Sequence, residues 1–524
     1  MKKVFFIFLF FIACLGSLFA RSGDAVVSQS SPDNGLVLTF RVNNQSIEYR
    51  VAWKKEEILS WSPLGLSTNT KDIVEGKMEI TKTTLSTYNG TFAWQFGENN
   101  LIQDNFKQIA IECKQGNGFV FHIIARVYNN TIAFLYKLPL PPNGLAYTIV
   151  NEKTGFNFNR SYAVYRHTSE SVISPTPMNE LKANSDFPVV LTSPGLFISI
   201  NEASNDRYTK AVVGKADGDN HLVVRFNNDS VKVDGVFASP WRTISFSKTA
   251  IGLCDNSDLL YKLCWNPNPS IDYSWIKPGK LIRDVTLTTK GALACIDFAA
   301  KMDFQYVMFD AGWYGKGYAA EHDQSSDPHN VVAEIDMARV IDYGKEKNIG
   351  LILYVNYVGL RKHNLDTLFS LYKKWGVKGL KFGFVNGLTQ DGISWLIKAV
   401  RKAQDYGFVI NVHDNYKPTG LSRAIPAFLT QEGVRGNENN PDAVHNTTLP
   451  FTRFLSGAAD YTFCFPNQND SFNTTILSKK LQVSKAQQLA LSVVFFSPLQ
   501  SMLWYGKPAD YTLPEEIEFF KYVP

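Results

Sequence analysis

Two textures of hydrophobic and polar positions divide the chain. Before about residue 266, short segments such as LVLTFRV, FVFHIIARV, GLFISI and HLVVRF alternate apolar with polar residues, and clusters of Asn, Gly, Asp and Ser separate them. A period of two puts every second side chain on one face, so this part reads as an antiparallel β-sandwich. After the linker WNPNPSIDYSWIKPG the texture changes. Helical stretches at 287–301, 331–347, 365–375 and 393–406 lead to short apolar runs at 306–310, 350–357, 379–385 and 408–414. Runs at 428–431, 460–463 and 497–504, with one more around 273–276, bring the strands to eight. Near-continuous apolar runs suit parallel strands buried on both faces, and about 250 residues is the usual extent of a (β/α)8 TIM barrel. An open doubly wound sheet is the alternative, but no Gly-rich phosphate loop supports it. The expected organisation is a signal peptide over 1–20, a β-sandwich over 21–266 and a barrel over 267–524.

The first residues carry Lys2 and Lys3, then an apolar run over 4–13 and small residues up to Ala20. This is the pattern of a secretory signal, and the run is too short for a transmembrane span. The expected location is therefore the periplasm or the exterior, with Cys14 as a candidate lipid anchor. The five cysteines beyond it are odd in number and form no C-x-x-C pair, which argues against a zinc cluster or a disulfide scaffold. Cys254 and Cys264 remain a candidate bridge or a pair of buried thiols. A formal net charge of only +5, with no basic stripe, makes nucleic acid an unlikely partner.

In a barrel the active face lies at the strand C-termini, so the residue ending each strand is the one to read. That rule selects Asp310 and Trp313, Asn356 and Tyr357, Lys381 and Gly383, His413 and Asp414, then Glu432, Glu438 and Asp460. An acid at the end of a buried strand is costly unless paired or metal-bound. Several acids around one mouth suit general acid and base work on a glycosidic bond.

The strings VMFDAGWYG, WGVKGLKFGF, VHDNYKPTGLSR, LTQEGVRGNE and LPFTRFLSGAADYT resemble the barrel signatures of glycoside hydrolase family 97, and SPDNGLVLTF and SPLGL resemble its N-terminal domain. The resemblance implies a calcium-dependent, exo-acting α-glucosidase or α-galactosidase. By position Glu438 falls on the general acid, Glu432 on a calcium ligand, and Asp414 where inverting members have a glutamate that holds both calcium and the attacking water. Glu170, in RHTSESVISPTP, matches the ligand given by the N-terminal domain, so the implied calcium set is Glu170, Asp414, Glu432 and Glu438. Lys381 and His413 would touch sugar hydroxyls, and Trp313 would be a platform for a sugar face, a packed core ring being the plainer alternative for Trp313 and a satisfied core histidine for His413.

Three departures from the family pattern stand out. Retaining members carry a nucleophilic Asp on the fourth strand where this chain has Gly383, and inverting members carry a second glutamate on the third strand where it has Asn356 and Tyr357. The chain also ends at EEIEFFKYVP, which reads as the final barrel helix, so the family's C-terminal sandwich is absent from the expected plan. The expected mechanism is inversion, with Glu438 as acid and Asp414 as base. The alternative function is a glycan-binding protein that kept the pocket and lost turnover.

Overall fold

The computed structural model describes residues 17–18, 26–43, 46–69, 77–140, 144, 146–315, 326–465 and 481–523. The expected signal peptide and Cys14 lie outside the described residues, apart from Ser17–Leu18, which pairs with the strand Met78–Ala93. No helix among the described residues is long and apolar enough to cross a membrane. Cys254 and Cys264 are both free thiols.

The N-terminal part is antiparallel throughout, as its alternation requires. A large sheet runs through Met78–Ala93, Leu101–Gln115, Val120–Val127, Thr131–Leu138, Trp241–Ser247 and Leu196–Ala203, and a four-stranded sheet is built from Val26–Ser30, Leu36–Val42, Ile47–Trp53 and Glu56–Leu64. Alternate residues of the two, Ile109, Ile111, Ile123 and Val127 against Leu36, Leu38 and Phe40, are fully buried in one core. Burial of this kind is what holds a sandwich together, since each apolar side chain removed from water contributes roughly 1.5–3 kcal/mol.

Among the described residues, the C-terminal part is a nearly closed parallel barrel of seven strands: β1 (Gly279–Asp284), β2 (Tyr306–Phe309), β3 (Gly350–Asn356), β4 (Gly379–Gly383), β5 (Val409–Val412), β6 (Phe428–Gln431) and β7 (Leu499–Met502). Between them run α1 (Thr289–Lys301), α2 (Met337–Lys347), α3 (Leu365–Trp375), α4 (Gln390–Asp405) and, before β7, α5 (Lys485–Val494). Thr288, Asp336, Thr389 and Ser484 each start one of these helices by accepting a backbone N–H with the side chain.

Two expected strands differ. The run at 273–276 is a turn, with the Ile276 N–H donating to the Tyr273 carbonyl, and the first strand begins after Pro278 instead. The place of an eighth strand is filled by an extended stretch at 458–465 that forms no continuous ladder. Its Asp460 N–H reaches the Gln431 carbonyl on β6 at 3.4 Å, and its Phe463 N–H reaches the Ser501 carbonyl on β7 at 2.9 Å. Thr462, with φ of 56°, breaks the strand between these contacts.

Arg453 compensates for the missing ladder. Its buried guanidinium donates to the carbonyls of Gln431, Glu432 and Gly433 on one side and of Gly457 and Ala458 on the other, at 2.6–3.2 Å. Backbone groups that no strand satisfies are thus held by one side chain.

Candidate active site

The strand ends converge on His413, the residue after β5. Its Nδ1 lies 3.0 Å from Glu432 Oε2 and its Nε2 lies 2.9 Å from Asp460 Oδ2, all three groups being almost fully buried. Burial alone would lower the pKa of this ring, but the adjacent Glu432 and the hydrogen bond to Asp460 carry it up to about 10. The ring is therefore an imidazolium donating from both nitrogens. Asp460 also accepts from Asn411 Nδ2 at 2.6 Å and Ser501 Oγ at 2.8 Å. The Trp504 indole stacks on the imidazolium at 6.2 Å between centroids. With both nitrogens engaged by carboxylates, His413 has no donor left for a sugar hydroxyl, and its expected substrate role gives way to that of a clamp.

Glu432 leads from the clamp to a second group. Its Oε2 also accepts the Asp414 N–H at 2.9 Å. Asp414 stands in the left-handed region, φ 74°, which an Asp tolerates better than most residues, and its Oδ2 accepts the Val385 N–H at 3.2 Å. Glu170 arrives from the N-terminal domain. The Ser169 N–H before it donates to Asp186, which is ion-paired to Lys210 of its own domain and to Lys417 of the barrel. Asn439 Nδ2 donates to Glu170 Oε2 at 2.9 Å.

One carboxylate oxygen from each of Glu170, Asp414 and Glu432 lies within 4.8 Å of the others. Burial, with mutual repulsion added, raises the pKa of Glu170 and of Glu432. Three crowded, partly desolvated carboxylates are a donor set that fits a hard divalent cation such as calcium. Glu438 stands outside this group, so the structure brings together three of the four expected ligands.

Glu438 sits instead within electrostatic reach of the cations Lys381, His413 and Arg283, and of Glu432 as well. Burial, the largest influence, raises its pKa; Lys381 and His413 oppose, and Asp310 adds to the rise. Neighbouring carboxylates are thus the lesser cause. Lys381 Nζ is buried 3.1 Å from Asp310 Oδ1, with Arg283 Nε 3.4 Å from the other oxygen. Burial would raise Asp310, yet these two cations hold it down at about 2. Lys381 and Arg283 both lie over the Trp504 ring, at 4.4 and 4.8 Å from its centroid.

Trp313 does not reach the mouth. Its indole is fully buried against Tyr372 and Trp375 of α3, and its Nε1–H donates to the Tyr354 carbonyl at 2.7 Å, so the expected sugar platform is a core ring. Phe384, just past β4, is 46% exposed at the C-terminal end of that strand. Asn356 is used locally: its side chain caps the helix Tyr357–Lys362. At Gly383 a Cβ would run into the Tyr354 ring, within 2.9 Å of Cζ and Oη and closer still to Cε2. No side chain fits at that position as the ring stands. The sequence reading missed Arg283 and Trp504, because β1 was expected six residues earlier and Trp504 lies inside an apolar run that names no single ring.

A parallel barrel that gathers a raised carboxyl, a carboxylate cluster and buried cations at its strand C-termini is the arrangement of a glycoside hydrolase. Residues 30–265 match the family profile described as glycosyl-hydrolase 97 N-terminal, and residues 279–434 match glycoside hydrolase 97. The chain belongs to glycoside hydrolase family 97. It is 26% identical to a retaining alpha-galactosidase of Bacteroides thetaiotaomicron, over all of this chain and 85% of that protein. To a probable retaining alpha-galactosidase of Streptomyces bingchenggensis it is 24% identical, over 94% of this chain and 75% of that one. It also superposes on a family 97 enzyme in complex with acarbose from Pseudoalteromonas sp. strain K8, with a TM-score of 0.86 and 25% identity over 95% of this chain and 83% of that one.

Replacing His413 by Gln leaves Glu432 and Asp460 facing each other in a buried site without their cation. In calcium-free protein the expected loss is about 3–5 kcal/mol, the usual result of removing one partner of a buried ion pair, read by denaturant unfolding. The folded pKa is raised, so the stabilisation is fully present below about pH 6.5, the unfolded value, and is lost as pH rises through about 10. A loss under about 1 kcal/mol at pH 6 would mean that the clamp is not charged.

Proposed function

We propose that this protein is an exported, calcium-dependent, exo-acting α-glycoside hydrolase that inverts the anomeric centre. The observation that carries the catalytic reading is the separation of roles at the mouth. Burial raises the pKa of Glu438 against the opposing pull of Lys381, whereas Asp414 belongs to the carboxylate cluster. Glu438 then donates its proton to the departing glycosidic oxygen, and Lys381 and His413 stabilise the carboxylate that remains. Asp414 takes the proton of the water that attacks the opposite face of the sugar. Glu170, Asp414 and Glu432 hold the calcium, which when bound supplies a fixed positive charge that neutralises and orients these carboxylates.

Inversion is supported by β4. A retaining mechanism needs a nucleophile in covalent reach of the sugar, and the fourth-strand position has neither a carboxylate nor space for one beside Tyr354. The relatives named as retaining enzymes make this a point of divergence at about one-quarter identity. Their names, and the acarbose and panose bound in solved relatives, make α-galactosides and α-glucosides the substrates to try. The basic and apolar N-terminal residues support export. A second reading, a glycan-binding protein without turnover, is favoured by Asn356 and Gly383 standing where family members carry carboxylates.

Glu438→Gln is expected to lower kcat/KM by about 10²–10⁴-fold on alkyl or oligosaccharide α-glycosides, and far less on nitrophenyl glycosides, whose leaving group needs no proton. Equal losses on both would remove Glu438 from the acid role, and no hydrolysis of any α-glycoside by the unmodified protein would favour the binding reading. Chelation should abolish hydrolysis and lower stability by about 2.7 kcal/mol relative to protein in calcium at 100 times its Kd, with recovery on calcium but not magnesium. Full activity after exhaustive chelation would overturn the metal assignment.

A further inference from the structure

A second set of metal-binding donors lies apart from the carboxylate cluster. Asp327 and His329 are in the connection between β2 and α2, and His363 ends the short helix Tyr357–Lys362 that follows β3, so all three stand on segments leaving strand C-termini. One donor atom from each lies within 4.8 Å of the other two. We propose that Asp327, His329 and His363 form a second metal site, selective for a late first-row divalent ion such as Zn²⁺, that fastens the β2–α2 connection to the helix after β3.

The distances fit the ion. His329 Nδ1 lies 2.8 Å from Asp327 Oδ1, and His363 Nε2 lies 3.5 Å from the same oxygen. Ligands held about 2.0–2.1 Å from a tetrahedral zinc stand roughly 3.3 Å apart, between these two values. A simple Asp–His hydrogen bond accounts for His329 alone. His363 is beyond the distance of a good hydrogen bond, yet its ring stands edge-on to that of His329 at 4.7 Å, which turns a second imidazole towards the same carboxylate.

The three donors are also held in place. The His329 N–H donates to Asp327 Oδ1 at 3.0 Å and Asn330 Nδ2 to the other oxygen at 3.3 Å, which fixes the carboxylate. Between them the Pro328 carbonyl accepts the buried Tyr372 hydroxyl at 2.8 Å. At the other segment, Asn356 caps the helix whose last turn leads into His363. All three donors are partly exposed, which leaves a path for the ion and a free coordination position for water.

The chemistry separates this site from the first. Two imidazoles and one carboxylate suit zinc, nickel or copper, whereas calcium takes six to eight oxygens and gains little from neutral nitrogen. Untagged protein saturated with calcium is therefore titrated with Zn²⁺ by calorimetry, and bound metals are counted after dialysis. The unmodified chain is expected to take up one zinc with its calcium content unchanged. His329→Ala and His363→Ala should each weaken zinc binding by roughly 100-fold or more, beyond the 10–100-fold cost of an outer-shell change. Their calcium content and circular dichroism should match the unmodified protein, which establishes that the variants fold. Absence of zinc uptake at saturating calcium, or either variant binding zinc as tightly as the unmodified chain, would overturn the proposal.

Discussion

One buried cation organises the mouth of this barrel. Desolvating His413 should strip its charge, and the ring stays charged because Glu432 and Asp460 hold it from opposite sides. The same three residues join β5 to the loop after β6 and to the stretch at 458–465, and Asp460 extends the connection to Ser501 on β7. A neutral residue in place of His413 would leave two desolvated carboxylates. The three groups are thus stable only as a set, and the set fixes where Glu432, and with it Asp414, can stand.

The rest of the site follows as a distribution of charge. Asp310 with Lys381 and Arg283 forms a second desolvated cluster, and Trp504 lies beneath its cations and beside the imidazolium. Glu438 lies within the influence of both groups but in neither. Burial raises the pKa of its carboxyl, and the nearby cations Lys381 and His413 favour its negative form. An acid that must give up a proton and then bear a charge needs both conditions.

Parallel strands buried on both faces produce continuous apolar runs, so β2 to β6 were legible in the sequence to within a few residues. β1 was not, because Lys280 and Arg283 interrupt its apolar pattern: Lys280 turns back to donate to the Val523 carbonyl, and Arg283 points towards Asp310. The eighth position was legible as an apolar run, but nothing in FTRFLSGAADYT announces that Arg453 would hold its carbonyls in place of a ladder. Asp414, Glu432 and Glu438 could be found as acids at strand ends. Glu170 could not, since its place at the mouth depends on contacts between Asp186, Lys210 and Lys417 across two domains. Trp313 misled for a related reason: what surrounds the ring comes from α3, some sixty residues later. Asp327, His329 and His363 have no spacing that marks them, and only the packing of two connections brings them together.

The proposed inversion requires that this mouth hydrolyse its substrate without a covalent intermediate; β4 ends in Gly383, and a Cβ there would meet the Tyr354 ring. The direct test is proton NMR of the first sugar released from an α-glycoside, recorded before mutarotation. The account requires the β-anomer to appear first and the α-anomer to grow in later. Initial release of the α-anomer would contradict it, and would mean that a carboxylate elsewhere in the mouth attacks the sugar.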